Sequence, residues 1–226
     1  MDEAQERVET FGWRRCAEIL EDLLAEHSLV PHRNGRAFIV PDDSGSAPLL
    51  EFHLPTCLAP PEAGTSARDF LEHLHETDDE LGEHLIVLVQ AGAAALGWWS
   101  DEDVLHQKVL KAYVVRGKGR AQTLYAKTKG KSRYGSRLRL QNAQKHLVEI
   151  NERLERWWDE SGPADRIFFS CPQRTWPELF ATRPAPPFEQ RDARLVKIPF
   201  HVHTPNLEEL ERVRRLLLRG KVIRRD

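Results

Sequence analysis

The residues best suited to chemistry stand in one stretch of this 226-residue chain, Tyr113-Val114-Val115-Arg116-Gly117-Lys118-Gly119-Arg120-Ala121-Gln122. Its last four residues form a Gly-x-x-Gln tetrapeptide, a pattern too short to carry meaning alone. The setting gives it weight: an apolar strand feeds a glycine-rich, all-basic loop, and a long helix follows. A glutamine side chain does not titrate, so Gln122 cannot be a general base. It offers one amide acceptor and two donor hydrogens, which suit it to orient a water or a 2′-hydroxyl and to steady developing negative charge. Gly119 lets the backbone approach a substrate closely. Arg116, Lys118 and Arg120 are suited to phosphates, the arginines in bidentate fashion. Tyr113 can stack on a base or hydrogen-bond to a sugar. The expected catalytic group is therefore Gln122, Gly119, Arg116 and Tyr113.

The charge distribution points the same way. The net charge is only −2, yet residues 1–107 carry 6 Lys/Arg against 22 Asp/Glu. Residues 108–148 carry 12 basic side chains and no acidic one, and residues 149–226 carry 15 basic and 13 acidic. Forty-one residues without a carboxylate concentrate positive potential and attract polyanions. The block lies between a strand and a helix, inside the fold, which favours nucleic acid over a solvated tail. Lys118, Arg120, Lys127, Lys129, Lys131, Arg133, Arg137 and Arg139 are its expected RNA contacts.

Other constellations are weaker. His73-x-His75 falls in a helical pattern, where residues two apart point away from each other. His201-x-His203 lies near a strand end and can share a face, but has no cysteine or acidic third ligand nearby. Gly117 and Gly119 lack the spacing and the Lys-Ser/Thr of a Walker loop. Cys16, Cys57 and Cys171 are isolated and form no Cys-x-x-Cys pair. No metal and no cofactor is expected. The acidic N-terminus does not resemble a signal peptide, and the apolar run Leu85–Trp99 is too short to span a bilayer, so the expected location is the cytoplasm.

The elements that must position these residues can be read from periodicity. A helix is expected over Glu6–Glu26, then strands at Arg36–Val40 and Leu49–Leu54. A helix capped by Ser66 runs to about Leu81 with Phe70, Leu71 and Leu74 inward. Leu85–Val89 reads as a strand buried on both faces, followed by strands at Ala93–Trp99 and Val109–Val115. Arg116–Gly135 is expected as a long functional loop. A helix from Ser136 carries the stripe Leu140, Ala143, Leu147, Ile150, Leu154 and Trp157. Its first turn holds Arg137 and Arg139, a placement that suits an external anion better than the helix dipole. Strands at Ile167–Phe169 and Leu195–Phe200 flank a short turn or helix at Trp176–Phe180. The last helix has Thr204 as cap and Pro205 first, with Leu207, Leu210, Val213 and Leu217 inward and Gly220 beyond its end. This pattern is α/β, with a mixed β-sheet packed with helices. The division expected is an acidic α+β region over 1–82 and a second domain over 83–226.

Several separated motifs resemble one family over roughly residues 84–220. These are Tyr113 and Arg116 ending a strand, Gly119 and Gln122 in the loop, and Gly135-Ser136, Leu138-Arg139 and Asn142 opening the helix. Arg191-Asp192-Ala193-Arg194-Leu195, Ile198-Pro199 and Leu207-Glu208-Glu209-Leu210 follow in order. Together they resemble the Vms-one-like release factors, peptidyl-tRNA hydrolases of ribosome quality control whose core is similar to the catalytic domain of eukaryotic class I release factors. The sequence departs from the eukaryotic members in three ways. The Arg116–Gln122 stretch is one residue shorter, Arg139-Leu140 replaces a double arginine, and Gln141-Asn142-Ala143 replaces Tyr-Asn-Glu. No zinc-finger or ankyrin segment is recognised.

The resemblance implies a release-factor-like fold acting on peptidyl-tRNA. Two reactions fit: hydrolysis of the ester joining peptide to tRNA, and cleavage of the tRNA near its CCA end by a ribose 2′-hydroxyl. The resemblance implies the second for eukaryotic relatives. The implied partners are the large ribosomal subunit with peptidyl-tRNA and the tRNA acceptor end, with no membrane and no DNA. The alternatives are a non-catalytic ribosome- or RNA-binding factor using the same basic loop, and a free-standing RNA nuclease.

Overall fold

Glu6–Gly12 form a strand, β1, where the sequence reading starts a helix. The computed structural model describes residues 6–42, 47–76, 81–112 and 131–225, with side chains in the longest helix from residue 140 onward. After a 3-10 turn at Trp13–Arg15, the helix proper, α1, occupies Cys16–Glu26. There follow β2 (Val30–Pro31), β3 (Ala37–Val40), β4 (Leu50–His53), α2 (Ala67–Glu76), β5 (Glu83–Gln90), β6 (Ala93–Ser100) and β7 (Asp103–Lys111). The second half holds α3 (Lys131–Ser161), β8 (Arg166–Ser170), α4 (Thr175–Ala181), β9 (Leu195–Lys197), α5 (Leu207–Leu217) and β10 (Arg219–Arg225). The architecture is mixed α/β, with two five-stranded sheets among the described residues.

The first sheet has the order β1-β10-β4-β3-β2, and every neighbour is antiparallel. β1 is a strand because its partner is β10, paired from Glu6↔Arg225 to Gly12↔Arg219. Arg224 and Arg225 reach the carboxylates of Glu9 and Glu6 at 2.8 and 3.2 Å. Phe11 stacks on Phe52 with ring centroids 5.3 Å apart. A window of local sequence does not contain that partner, so helical periodicity prevails in the reading. Gly220, expected beyond a helix end, instead lies within β10 beneath the Phe11 ring. Phe11, Leu20, Leu23, Phe38, Phe52, Phe70 and Val222 form the core, with Leu71 and Leu74 packed at its margin. Ser66 caps α2 as expected, its hydroxyl oxygen accepting the Asp69 N–H at 3.2 Å.

The chain divides into two compact units, residues 1–81 with 213–226, and residues 82–212. The sequence reading runs its second region to residue 226, whereas β10 pairs its residues with β1 and β4 of the first sheet.

In the second unit the order is β7-β6-β5-β8-β9. Leu85, Ile86, Val87, Leu88 and Val89 are each at most 1% exposed, so β5 is covered on both faces. On one face Leu85, Val87, Leu96, Trp98 and Ile167 pack with Leu147, Ile150, Leu154 and Trp157 of α3. On the other, Leu210 of α5 and the Trp99 ring close over Gly97.

Several boundaries differ from the reading. β7 begins at Asp103, six residues before the expected Val109, because a tight turn at Asp101, with φ 49°, returns the chain at once. α3 begins at Lys131 and carries Gly135 inside it, where a glycine normally weakens a helix. Arg137 and Arg139 are therefore beyond its first turn. Leu140, placed on the inward stripe, is 71% exposed. β9 is three residues long and stops at Lys197. α5 starts after Asn206, whose Oδ1 accepts the Glu209 N–H at 2.7 Å, so Asn206 rather than Thr204 is the cap. Leu207, expected inward, is 49% exposed, while Leu210, Val213 and Leu217 are buried.

Candidate functional site

The directions of the strands locate the root of the basic segment. β6 is antiparallel to both β5 and β7, while β8 and β9 run parallel to β5. Four of the five strands thus end on one edge of the sheet, at Gln90, Lys111, Ser170 and Lys197. In open α/β sheets the carboxyl edge is where ligands are bound. Ala112 N–H donates to the Gly92 carbonyl at 2.9 Å, fixing the chain on this edge at the last described residue of the first part of the acid-free block.

The chain is described again at α3. This helix has 31 residues, about 46 Å at 1.5 Å per residue. Among its described residues the first to join the core is Leu147, and buried His146 lies beside the Ala93 backbone at the same edge of the sheet. Residues 140–145, the described side chains that precede them, are exposed or half-buried. Lys108, Lys111 and Lys145, at the described ends of the acid-free block, are all exposed.

Three side-chain clusters hold this frame. His106 of β7 stacks on Trp157 of α3 with centroids 5.1 Å apart, and its Nε2 lies 3.1 Å from Ser161 Oγ. Asn151 is fully buried, and its Nδ2 donates to the carbonyls of Leu179 and Pro184 and to Thr182 Oγ1 at 2.8, 2.9 and 2.6 Å. Asp192 and Arg194 form a two-pronged pair, Nε–Oδ1 2.9 Å and Nη2–Oδ2 2.7 Å. Hydrogen bonding from that guanidinium holds the Asp192 carboxyl at about 2. Arg194 also donates to the Ala164 carbonyl at 3.0 Å and lies 5.1 Å over the Trp158 ring. The Arg191–Leu195 motif thus fixes β9 against the end of α3.

Tyr113, Arg116, Lys118, Gly119, Arg120, Gln122, Lys127 and Lys129 lie outside the described residues. Lys131, Arg133, Arg137 and Arg139 are in the N-terminal part of α3, and their side chains lie outside the description. At the carboxyl edge, burial pushes the Cys171 thiol up to about 12, so it stays protonated at neutral pH and is a poor nucleophile. Among the described residues no group of three or more His, Cys, Asp or Glu is placed to hold a metal ion, and no helix is long and apolar enough to cross a membrane.

The structure adds residues that the sequence reading passed over. Gln90, a polar residue within the apolar run Leu85–Trp99, donates its side-chain amide to the Val202 and His203 carbonyls at 3.0 and 2.9 Å. His106 and Asn151 had no signal of their own. Each is a single polar residue within a regular element, and only the fold supplies its partner.

With this frame established, comparison with known proteins assigns the class. The model of the family described as Bacteroidetes VLRF1 release factor matches residues 84–225, and the chain belongs to that family. It is thus a member of a release-factor family. Among solved structures, it is similar to one titled "Vms1 mitochondrial localization core", at 12% identity and TM-score 0.48, covering 90% of this chain and 80% of that one. An archaeal translation termination factor, aRF1, is similar at 17% identity and TM-score 0.33, covering 78% of this chain and 45% of the factor. Comparison with curated proteins gives no match.

Proposed function

We propose that the chain releases nascent peptides from stalled large ribosomal subunits by acting on peptidyl-tRNA, with Gln122 of the Gly119–Gln122 loop as the catalytic amide. The observation that carries this reading is membership of a release-factor family over residues 84–225, a span that contains the whole acid-free block. That block is rooted on the carboxyl edge of a sheet through Ala112 and ends within the long helix α3. Tyr113, Arg116 and Gly119 complete the catalytic group in this proposal. Lys118, Arg120, Lys127, Lys129, Lys131, Arg133, Arg137 and Arg139 hold the acceptor end of the tRNA. The compartment is the cytoplasm, and neither metal nor cofactor takes part.

Two bonds are open to this chemistry. In ester hydrolysis, water adds to the ester carbonyl and the tRNA 3′-oxygen leaves. In RNA cleavage, a ribose 2′-oxygen attacks the adjacent phosphorus, the 5′-oxygen leaves with a proton, and a 2′,3′-cyclic phosphate remains. The concentration of cations without a carboxylate favours the second, because they stabilise the doubly charged phosphorane.

The test uses stalled large subunits carrying peptidyl-tRNA labelled on both peptide and RNA. Gln122→Ala is expected to bind them as the unmodified chain does and to release peptide at least about a hundredfold more slowly. Unchanged release would overturn the catalytic role and leave a binding factor. Mapping both products identifies the bond: intact tRNA means ester hydrolysis, and a peptide bearing a few nucleotides means RNA cleavage.

A further inference from the structure

His201 and His203 are both exposed, yet the backbone between them is held by side-chain hydrogen bonds. Val202, 6% exposed, plugs the segment into the fold. The Gln90 amide donates to the Val202 and His203 carbonyls at 3.0 and 2.9 Å. Glu209 Oε1 accepts the His203 N–H at 2.7 Å, and Arg212 Nη2 donates to the His201 carbonyl at 2.9 Å. Arg212 and Glu209 are themselves joined by two hydrogen bonds of 2.7 Å. Three polar side chains from β5 and α5 thus position a three-residue segment whose outer two side chains face solvent. The imidazoles lie edge to face with centroids 4.8 Å apart. These bonds fix the backbone that carries the two rings, so both imidazoles project from a rigid support, as a ligand contact requires.

The location says which ligand. Gln90, which holds His203, is two residues before Gly92, whose carbonyl holds Ala112 at the root of the acid-free segment. Two residues span at most about 7 Å, so the Gln90 that anchors the pair lies on the same carboxyl edge as that root. Lys111 and Lys197, exposed at the ends of β7 and β9, occupy the same edge. Flat imidazole faces with N–H donors, on an edge that also carries cations, suit an unpaired nucleotide, whose base stacks on an aromatic ring and whose phosphate accepts hydrogen bonds.

We infer that His201 and His203 form a second RNA contact of the site, holding an unpaired nucleotide of the acceptor end while the basic segment engages the rest. This inference rests on the proposal that the substrate is peptidyl-tRNA.

The test measures binding of two labelled RNA hairpins to the full chain: an acceptor stem with a single-stranded CCA 3′ end, and the same stem blunt-ended. The full chain is expected to prefer the overhang. The double variant His201→Ala/His203→Ala is expected to lose about tenfold or more in affinity for the overhang hairpin. Its affinity for the blunt hairpin should remain as it was. Both residues are exposed, so the variant's thermal unfolding should match that of the unmodified chain. Gln90→Ala, which keeps both rings but frees their backbone, is expected to lose several-fold of the overhang preference. Equal binding of both hairpins by the double variant and the unmodified chain, or no overhang preference at all, would overturn the inference; salt-sensitive binding of the blunt stem would then leave the substrate proposal standing. No binding of either hairpin at low salt would overturn both.

Discussion

The imidazole of His106 on β7 lies flat against the indole of Trp157 on α3, with planes 10° from parallel. β7 and α3 are the two elements between which the basic segment runs, so this stacked pair joins its two stems. Removing the ring with His106→Ala removes both the stacking and the contact with Ser161. The expected loss is about 1–2 kcal/mol of stability, read by urea denaturation. A variant as stable as the original would show that the stems are held by backbone pairing and the apolar core alone.

Gly220 marks a second sensitive point. A Cβ there would meet the Phe11 ring and lie 2.8 Å from the His53 carbonyl oxygen, which belongs to the backbone and cannot swing away. Gly220→Ala is expected to destabilise by about 2–3 kcal/mol. Gly12→Ala, with nothing within 4 Å of the new methyl, serves as the control and should change stability by less than about 0.5 kcal/mol. Equal effects at the two glycines would refute the close-approach account.

These examples show which features could be read from sequence. The run Leu85–Val89 and the stripe Leu147, Ile150, Leu154 and Trp157 announce themselves, because burial on two faces or on one helical face leaves a local pattern. The Ser66 cap is equally local. β1 and β10 could not be read, since β1 is a strand through a partner about two hundred residues away and β10 through two partners, β1 and β4, both far off in sequence. Leu140 and Leu207 continue an apolar period past the point where the core ends, and periodicity does not record where the opposing surface stops. The candidate site divides in the same way. The acid-free block and its tetrapeptide are visible as composition and motif, whereas the Gln90 frame is three ordinary polar residues until the chain is folded.

Acidity provides a third test, through His146. Its imidazole is buried, and burial lowers its pKa from the usual 6.5, outweighing the opposing effects of the Ala93 backbone and Glu149. Below about pH 6.5 the unfolded chain takes up a proton that the folded chain resists, so stability falls as the pH drops from that point towards the folded value. Relative to the original, His146→Leu should gain stability between about pH 7 and pH 5. Burial lowers the His53 pKa too, so the comparison is the difference between the two proteins, not the slope of either. A difference that stays flat over this range would show that His146 does not contribute.

Salt provides the fourth. If about six of the basic residues between 108 and 148 contact phosphates, raising salt from about 50 to 200 mM should weaken RNA binding on the order of a thousandfold. Neutralising two of them, as in Lys127→Gln/Lys129→Gln, should flatten the slope of log affinity against log salt by about two. Affinity insensitive to salt would rule out docking through phosphates.

The pairing of Glu6 with Arg225 also sets an order of assembly. During synthesis residues 82–212 emerge as a continuous stretch and can collapse while the chain is still growing. The first sheet must wait, because β10 joins β1 to β4 and is made last of its strands. Until then β1 and β4 have open edges, and their apolar residues Phe11, Leu50 and Phe52 have no β10 to cover them. A chain whose translation halted just short of residue 219 would carry its basic segment complete and its acidic unit unclosed.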